Sequence, residues 1–420
     1  MAGDTRSKTG PGPGTAATAP GPLAGVRVIE MGSFIAGPYS AQLLADLGAD
    51  LIKVEAPGSG DPMRVWGAQA ANGASLWWPV IGRNKRSITL DLRRPEGQAL
   101  ARRLVLDADV LIENFRPGTL EGWNLDPEDL RRERPGLIVG RVSGFGQTGP
   151  YRERAGFAAV SEAMAGLRNL TGYPDRPPTR VGLSIGDTLA GMFCVIGVIS
   201  ALYARDRGTG GGTGAGQTVD VAITDSVLAV LESVISEFSS IGRIRERTGT
   251  ALPGIAPSNL YPTQDGSWVV IGANGDGLFR RLAAVMGKPE LADDERYATH
   301  RARGRNQQEV DDLVADWTRT LPRDAILSRL DEAKIPAGPV STAADIVANP
   351  HFRARGSVVD VDAGELGTLA MQGVVPRLSD TPGEIRWTGP ALGAHNAEIY
   401  GGLLGLDDAE ISRLQAEGII

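Results

Sequence analysis

Between Val26 and Val139 short apolar runs alternate with amphipathic ones, and this alternation limits the fold more than any other feature. Val26–Ile29, Leu51–Val54, Ser87–Leu90, Val110–Glu113 and Leu137–Val139 read as strands. Tyr39–Leu47, after Gly37-Pro38, reads as a helix, as do Glu96–Asp107, opened by Pro95, and Pro127–Glu133. Strand–helix alternation of this length predicts an α/β protein whose parallel sheet is covered on both faces. Such sheets bind ligands beyond the carboxyl ends of their strands, so the polar segments that follow the strands are where chemistry is expected. With 420 residues the chain is long enough for two domains.

Beyond residue 140 the pattern changes. From Thr188 to Ala204 the only ionisable side chains are Cys194 and Tyr203. This stretch is marginal for a bilayer, which needs about 20 apolar residues. Its small residues Gly191, Gly197, Ser200 and Ala201 favour a packed helix. Asp187 stands at its start, beside Gly186. A helix start favours the ionised form of an acid, so Asp187 reads either as a cap or as a bare carboxylate at the edge of an apolar wall. The second form suits nucleophilic attack on an activated acyl group. Gly208–Gly216 lacks the strand–turn–helix context of a dinucleotide site and reads as a flexible loop. Val219–Ile223 then reads as a strand and Ser226–Ile241 as a helix.

From about Gly242 the sequence suggests a smaller α+β domain. Its strands are near Leu260–Tyr261 and Ser267–Ile271, and its helices are Leu278–Met286, Gln307–Leu321 and Arg323–Lys334. Short strands near Ser357–Val361 and Gly367–Met371 and a final helix, Asp408–Glu417, follow. Residues 1–22, rich in Gly, Pro, Ala and Thr, read as a disordered leader rather than a signal peptide.

A net charge of −7 points away from nucleic acid. One cysteine excludes an internal disulfide and fits a reducing, cytoplasmic setting; buried in its helix, Cys194 is expected to be a packed thiol. His300, His351 and His395 are scattered, and no metal site is expected. Basic residues gather beside strands, in Asn84-Lys85-Arg86-Ser87, Arg93-Arg94 and Asn114-Phe115-Arg116. Arginine grips phosphate at two points and lysine supplies a compact charge, so these loops suit a polyphosphate cofactor or simply a solvated surface.

An ordered set of words then resembles the class III coenzyme A transferases, the family that also holds the α-methylacyl-CoA racemases. They are Leu23–Glu30, Ala36-Gly37-Pro38, Leu47–Glu55, Gly58–Asp61, Asn84–Ser87, Glu113–Gly118, Ser143–Gly146, Gly182–Asp187, Ile335–Val340 and Leu392–Asn396. The resemblance implies a Rossmann-like large domain formed by both chain ends (23–218 and 341–420), a small domain (244–311), linkers at 219–243 and 312–340, and an interlocked homodimer. It implies no permanently bound cofactor, with CoA or acyl-CoA as cosubstrate and a carboxylic acid as partner substrate, without nucleic acid or membrane.

It also implies that Asp187 attacks an acyl-CoA thioester and forms an anhydride, then an aspartyl-CoA thioester, which an acceptor carboxylate resolves. Ile35, Ala36, Leu90, Asp91, Leu92, Arg93, Asn114, Phe115, Arg116, Ala155, Gly156, Phe157 and Ala158 match segments that line the cofactor. Ala56 and Gly122 stand where several relatives carry arginine, with Lys85, Arg86 or Arg154 as substitutes. Gly272, Asn274, Gly275 and Gly277 match a closing loop rich in glycine, which also reads as a plain strand-to-helix turn. Racemases carry a histidine where this chain has Phe157, and phenylalanine cannot exchange a proton. Acyl transfer is therefore favoured over 2-methylacyl-CoA epimerisation, and both over a catalytically silent CoA-binding protein. Arg154, Arg176 and Arg180 are candidates for the second carboxylate of a diacid such as succinate.

Overall fold

The computed structural model describes residues 20–208 and 214–420. The leader up to residue 19 and residues 209–213 of the glycine loop lie outside the described residues. The first stretch runs β1 (Arg27–Glu30), α1 (Ala36–Asp46), β2 (Asp50–Glu55), α2 (Trp78–Ile81), β3 (Lys85–Thr89) and α3 (Pro95–Leu106). It continues with β4 (Val110–Glu113), α4 (Thr119–Gly122), α5 (Pro127–Glu133) and β5 (Ile138–Ser143). Next come α6 (Ala158–Met164), α7 (Leu167–Leu170), α8 (Ile185–Arg207), β6 (Thr218–Ala222), α9 (Ile223–Leu228) and α10 (Val234–Ile241).

Six strands form one sheet in the order β3-β2-β1-β4-β5-β6. The pairs β1–β2, β1–β4, β2–β3 and β4–β5 are parallel. Strands sandwiched between helices bury both faces, which is why β2, β4 and β5 are buried almost from end to end. The chain moves outward from β1 to β2 and β3, then crosses back to β4. The crevice beyond β1 and β4 is thus the switch point at which such sheets take ligands.

The chain divides into two compact units. The first holds residues up to Arg141 together with 194–219 and 359–420. Its core joins Ile29, Ile52, Ile88 and Leu111 to Ile399, Tyr400, Leu414 and Ile419, so the C-terminal segment shares one hydrophobic cluster with the sheet. The edge of β3 is closed by side chains of that segment: His395 Nδ1 accepts from Ser87 N (3.1 Å) and Asn396 Oδ1 from Thr89 N (2.9 Å). Covering an edge strand removes a template for aggregation. Within this unit Cys194 of α8 is fully buried, and its thiol is pushed up to about 12 by burial.

The second unit comprises residues 142–193 and 220–358. It contains β7 (Ser258–Pro262), β8 (Trp268–Gly272), α11 (Asp276–Val285), α12 (His300–Arg305), α13 (Gln307–Thr318), α14 (Arg323–Glu332) and β9 (Ala337–Pro339). Strands β7-β8-β9 make an antiparallel sheet packed on α11, α13 and α14 through Val269, Ile271, Leu282, Val314 and Leu330. The helix expected over Ser226–Ile241 is two helices, α9 and α10. Glu232 between them has φ +52°, which no right-handed helix accommodates. This unit closes with α15 (Ala343–Ala348) and α16 (Pro350–Ala354); the two-stranded ribbon of β10 (Val358–Asp362) and β11 (Thr368–Gln372) and the helix α17 (Asp408–Ala416) fall, from residue 359 on, in the first unit.

Candidate active site

In the first unit a cleft of about 250 Å³ opens beyond the carboxyl ends of β1 to β4. Gly32 and Ser33 follow β1, Glu55, Ala56 and Asp61 follow β2, Leu90 to Arg93 follow β3, and Phe115 follows β4; Trp123 completes the wall. Asn114 ties two of these loops. Its Oδ1 accepts from Ser33 N at 2.9 Å and its Nδ2 donates to Ser33 O at 2.8 Å. Gly32 is required for this lock, because a Cβ there would lie 2.5 Å from Asn114 Oδ1. Glu113 Oε2 accepts from Phe115 N at 2.7 Å, and Phe115 meets Trp123 edge-on with ring centroids 5.0 Å apart.

Asp91 N donates to Ile419 O at 2.8 Å, so the C-terminal tail fixes the loop that carries Arg93. Arg93 is largely exposed and leans on Asp91 at 2.9 Å. That hydrogen bond holds the Asp91 carboxyl below its ordinary range. Arg116 is exposed and its guanidinium has no protein partner among the described residues. Ile35 packs against Met63, Trp78 and Ile81, and Ala36 is buried at the start of α1. Just before them Phe34 has φ +65°, a strained setting for a bulky residue, with its N–H held by Asp61 Oδ1 at 3.2 Å.

Beneath the cleft lies a buried ion network. Lys53 Nζ meets Glu30 Oε1 at 2.6 Å and Asp61 Oδ2 at 2.8 Å, and Lys85 Nζ meets Glu30 Oε2 at 2.7 Å. Arg64 pairs with Glu55 at 2.7 Å, and Ser87 Oγ donates to the same carboxylate at 2.6 Å. Burial opposes the Lys53 charge, yet Glu30, Asp61 and Glu55 hold it above its ordinary value. Lys85 is pushed down to about 8 by burial, with the Glu30 attraction and the Lys53 repulsion acting against each other. Arg86 pairs with Asp50 and, at 2.6 Å, with Glu398. Lys85 and Arg86 open β3 at its amino end while the cleft lies past its carboxyl end. The structure therefore brings Leu90–Arg93, Asn114 and Phe115 together and leaves Lys85 and Arg86 apart from them.

In the second unit Asp187 sits in the first turn of α8, one residue past the buried Gly186. Thr188 N bonds Ser184 O at 3.0 Å, so the helix begins before Asp187, which is not its cap. Glu162 of α6, 2% exposed, approaches from the side; its Oε1 accepts from Gly186 N at 3.2 Å. Glycine eases this approach, since a Cβ at 186 would stand 3.2 Å from Glu162 Cγ and would press on it. Arg168 Nη2 reaches Glu162 Oε2 at 3.4 Å. No side chain or backbone N–H among the described residues donates to the Asp187 carboxylate. Burial, and then the charge of Glu162, push Asp187 up to about 6. This reverses the sequence expectation that the helix start favours the ion: desolvation and a like charge outweigh the helix dipole here. At neutral pH the carboxylate is still ionised, half-buried and poorly hydrogen-bonded.

Arg154 lies over the Tyr151 ring at 3.7 Å, and Gly156 packs against Phe145. Ala155 and Gly156 are exposed, Ala158 is buried as the first residue of α6, and Phe157, before it, is 67% exposed. Gly272 ends β8 and Gly275 precedes α11, so Gly277 lies inside the helix. Asn274 O accepts from Arg303 Nη2 at 2.6 Å and lies 3.0 Å from His300 Nδ1. None of the three glycines has positive φ, and a Cβ at Gly277 would meet nothing within 4 Å. Arg180 is folded onto Val181 O and Leu183 O at 3.0 and 3.1 Å.

The sequence reading passed over Glu162, Ser33, Asp61 and Trp123. For Glu162 the available signal was a lone acid among small apolar residues in Ala158–Met164.

Residues 23–396 match the model of a family described as CoA-transferase family III. Among curated proteins the chain is 57% identical over 401 residues to the succinyl-CoA–D-citramalate CoA-transferase of Chloroflexus aurantiacus, covering 96% of this chain and 98% of the relative. It is 42% identical over 401 residues to the alpha subunit of the succinyl-CoA–L-malate CoA-transferase of the same organism, covering 95% and 92%. Among solved structures, a CAIB/BAIF family protein from Brucella suis superposes with a TM-score of 0.81 at 39% identity, over 92% of this chain and 100% of that one.

Proposed function

The chain belongs to CoA-transferase family III, and on that premise we propose that it moves CoA from succinyl-CoA to a hydroxylated dicarboxylic acid of the citramalate or malate kind through Asp187. The donor and acceptor classes follow from the two relatives with such substrates in their names. The observation that carries the role of Asp187 is its half-buried carboxylate with no protein donor among the described residues.

A carboxylate is a weak nucleophile when fully hydrated and gains reactivity where the site replaces water. Asp187 Oδ adds to the thioester carbonyl, the C–S bond breaks, and CoA leaves as thiolate. The thiolate attacks the aspartyl carbonyl of the resulting anhydride and frees succinate, leaving an aspartyl-CoA thioester. The acceptor carboxylate attacks that thioester, and the released thiolate attacks the acceptor carbonyl of the new anhydride. Asp187 leaves as carboxylate, and no net proton is consumed.

CoA is placed with its phosphates toward Arg93 and Arg116 and its chain along Leu90, Asp91, Leu92, Asn114 and Phe115. Arg154, stacked on Tyr151 and without an ion pair among the described residues, serves in place of the arginines absent at Ala56 and Gly122. Ile35 and Ala36 border the acyl group, and 155–158 the pantetheine arm. The glycines at 272, 275 and 277 are unforced by turn or packing, which suits a loop that closes over a ligand. The exposed apolar residues Met192, Ile196 and Ile199 on α8 and Ile235, Phe238 and Ile241 on α10 support an interlocked homodimer. Its large domain would hold both chain ends, and its place would be the cytoplasm.

Incubation with succinyl-CoA followed by hydroxylamine trapping and peptide mass spectrometry tests the mechanism. The expected adduct is on the peptide holding Asp187; an adduct elsewhere, or none while CoA transfer proceeds, refutes it.

A further inference from the structure

We infer that Glu162 is a positioning residue that sets the reactivity of Asp187: its buried carboxylate takes the Gly186 amide and places a second negative charge beside the first turn of α8, so that the neighbouring carboxylate attacks as a poorly stabilised ion. The inference rests on Asp187 being the nucleophile.

The amides of a helix's first turn are free to stabilise an anion. In α8 the Gly186 amide is spoken for by Glu162 at 3.2 Å, and it is no longer available to the residue that follows. The glycine leaves room for the contact, because a Cβ at 186 would stand only 3.2–3.3 Å from Glu162. The surroundings leave little to offset the charge pair. Glu162 is the only charged residue of α6, and α7 supplies Arg168, whose link to Glu162 is long at 3.4 Å and whose buried Nε has no hydrogen-bond partner among the described residues. From α9, Ile223 packs on Gly186, and the one charged residue there, Asp225, is exposed. The first turn of α8 carries no other charge, and Arg180 is committed to backbone carbonyls. Asp187 accordingly titrates near 6, raised by burial and by Glu162. Among nucleophiles of one kind the more basic is the more reactive, so a like charge held nearby is a device for speeding attack on a thioester.

The acid limb of kcat/KM for succinyl-CoA reports the free enzyme's nucleophile. Glu162→Gln retains an oxygen for the Gly186 amide and removes only the charge. Its limb is expected to move to lower pH by on the order of half to one unit, with turnover at pH 8 reduced several-fold. Glu162→Asp, which keeps the charge, is expected to return the limb toward the wild-type position. Arg168→Gln, which strips the counter-charge, is expected to move it up. A limb that stays in place in folded Glu162→Gln overturns the inference. Should that variant fail to fold, a limb unmoved in Arg168→Gln overturns it equally. The two failures are separable: transfer persisting in Asp187→Asn removes the nucleophile assignment itself, whereas a dead Asp187→Asn beside an unshifted Glu162→Gln removes only the role of Glu162.

Discussion

Two groups of buried charge in this chain are built on opposite principles. Under the cleft, Glu30, Glu55 and Asp61 face Lys53, Lys85 and Arg64, and each carboxylate meets a cation at 2.8 Å or less. At the start of α8 two acids, Asp187 and Glu162, share one arginine that reaches only Glu162, at 3.4 Å. A buried charge is expensive unless paired and hydrogen-bonded. The first group meets that requirement and locks loops. The second does not, and an unmet requirement of this kind marks groups that react. The difference distinguishes architecture from chemistry more sharply than motifs do, since Asp187, Glu30, Glu55 and Asp61 all lie in family words while Glu162 lies in none.

Asp187→Asn is the largest perturbation of the contrast. If Asp187 is the nucleophile proposed above, removing it should cut transfer about 10⁴-fold or more. The same change should stabilise the fold. Asp187 is raised from 3.8 to about 6, so the native state binds the extra proton between those values and stability falls as pH rises through that window. Above pH 6 the whole penalty, about 2–3 kcal/mol, is present, and the neutral amide relieves it. Urea denaturation of both proteins at pH 7.5 and pH 4.5 measures this, with the gap expected to narrow at the lower pH. Equal stability of the two at pH 7.5 would erase the distinction between the groups.

Lys53→Met attacks the other side. It leaves Asp61 without its cation and Glu30 with Lys85 alone, in a place 1% exposed or less. Breaking a buried pair by removing one partner costs about 3–5 kcal/mol. The expected result is a large loss in denaturant midpoint, the opposite sign to Asp187→Asn.

The sheet was legible because strands buried on both faces read as apolar runs; β4 and α5 fall where the pattern put them. The break between α9 and α10 was not, for Glu232 in a left-handed conformation leaves no Gly or Pro as a sign. Lys85 and Arg86 read as phosphate contacts because basic residues are usually exposed. Their register on β3 puts them at its amino end, in ion pairs with Glu30, Asp50 and Glu398, and register is a property of neighbouring strands rather than of local sequence. Glu162 was hidden for a related reason: its significance lies in touching Gly186, 24 residues away in the chain. The Leu392–Asn396 word was visible as a motif, while its work, closing the β3 edge, shows only in the hydrogen bonds of His395 and Asn396.

The cleft itself is tested by its two arginines, where smaller effects are expected. Arg116→Gln removes a cation that has no protein partner among the described residues. Losing one charge-assisted contact to a phosphate should raise KM for succinyl-CoA about tenfold, with kcat unchanged, because the contact is made equally in ground and transition states. Arg93→Gln should do less, about threefold. Its guanidinium already leans on Asp91 at 2.9 Å in full solvent, so binding phosphate exchanges one exposed partner for another. The effect of both should shrink as salt rises, since exposed charges are screened. Arg93→Gln exceeding Arg116→Gln would mean that the phosphates lie toward the β3 loop rather than the β4 loop, and the placement of CoA across the switch point would have to be turned around.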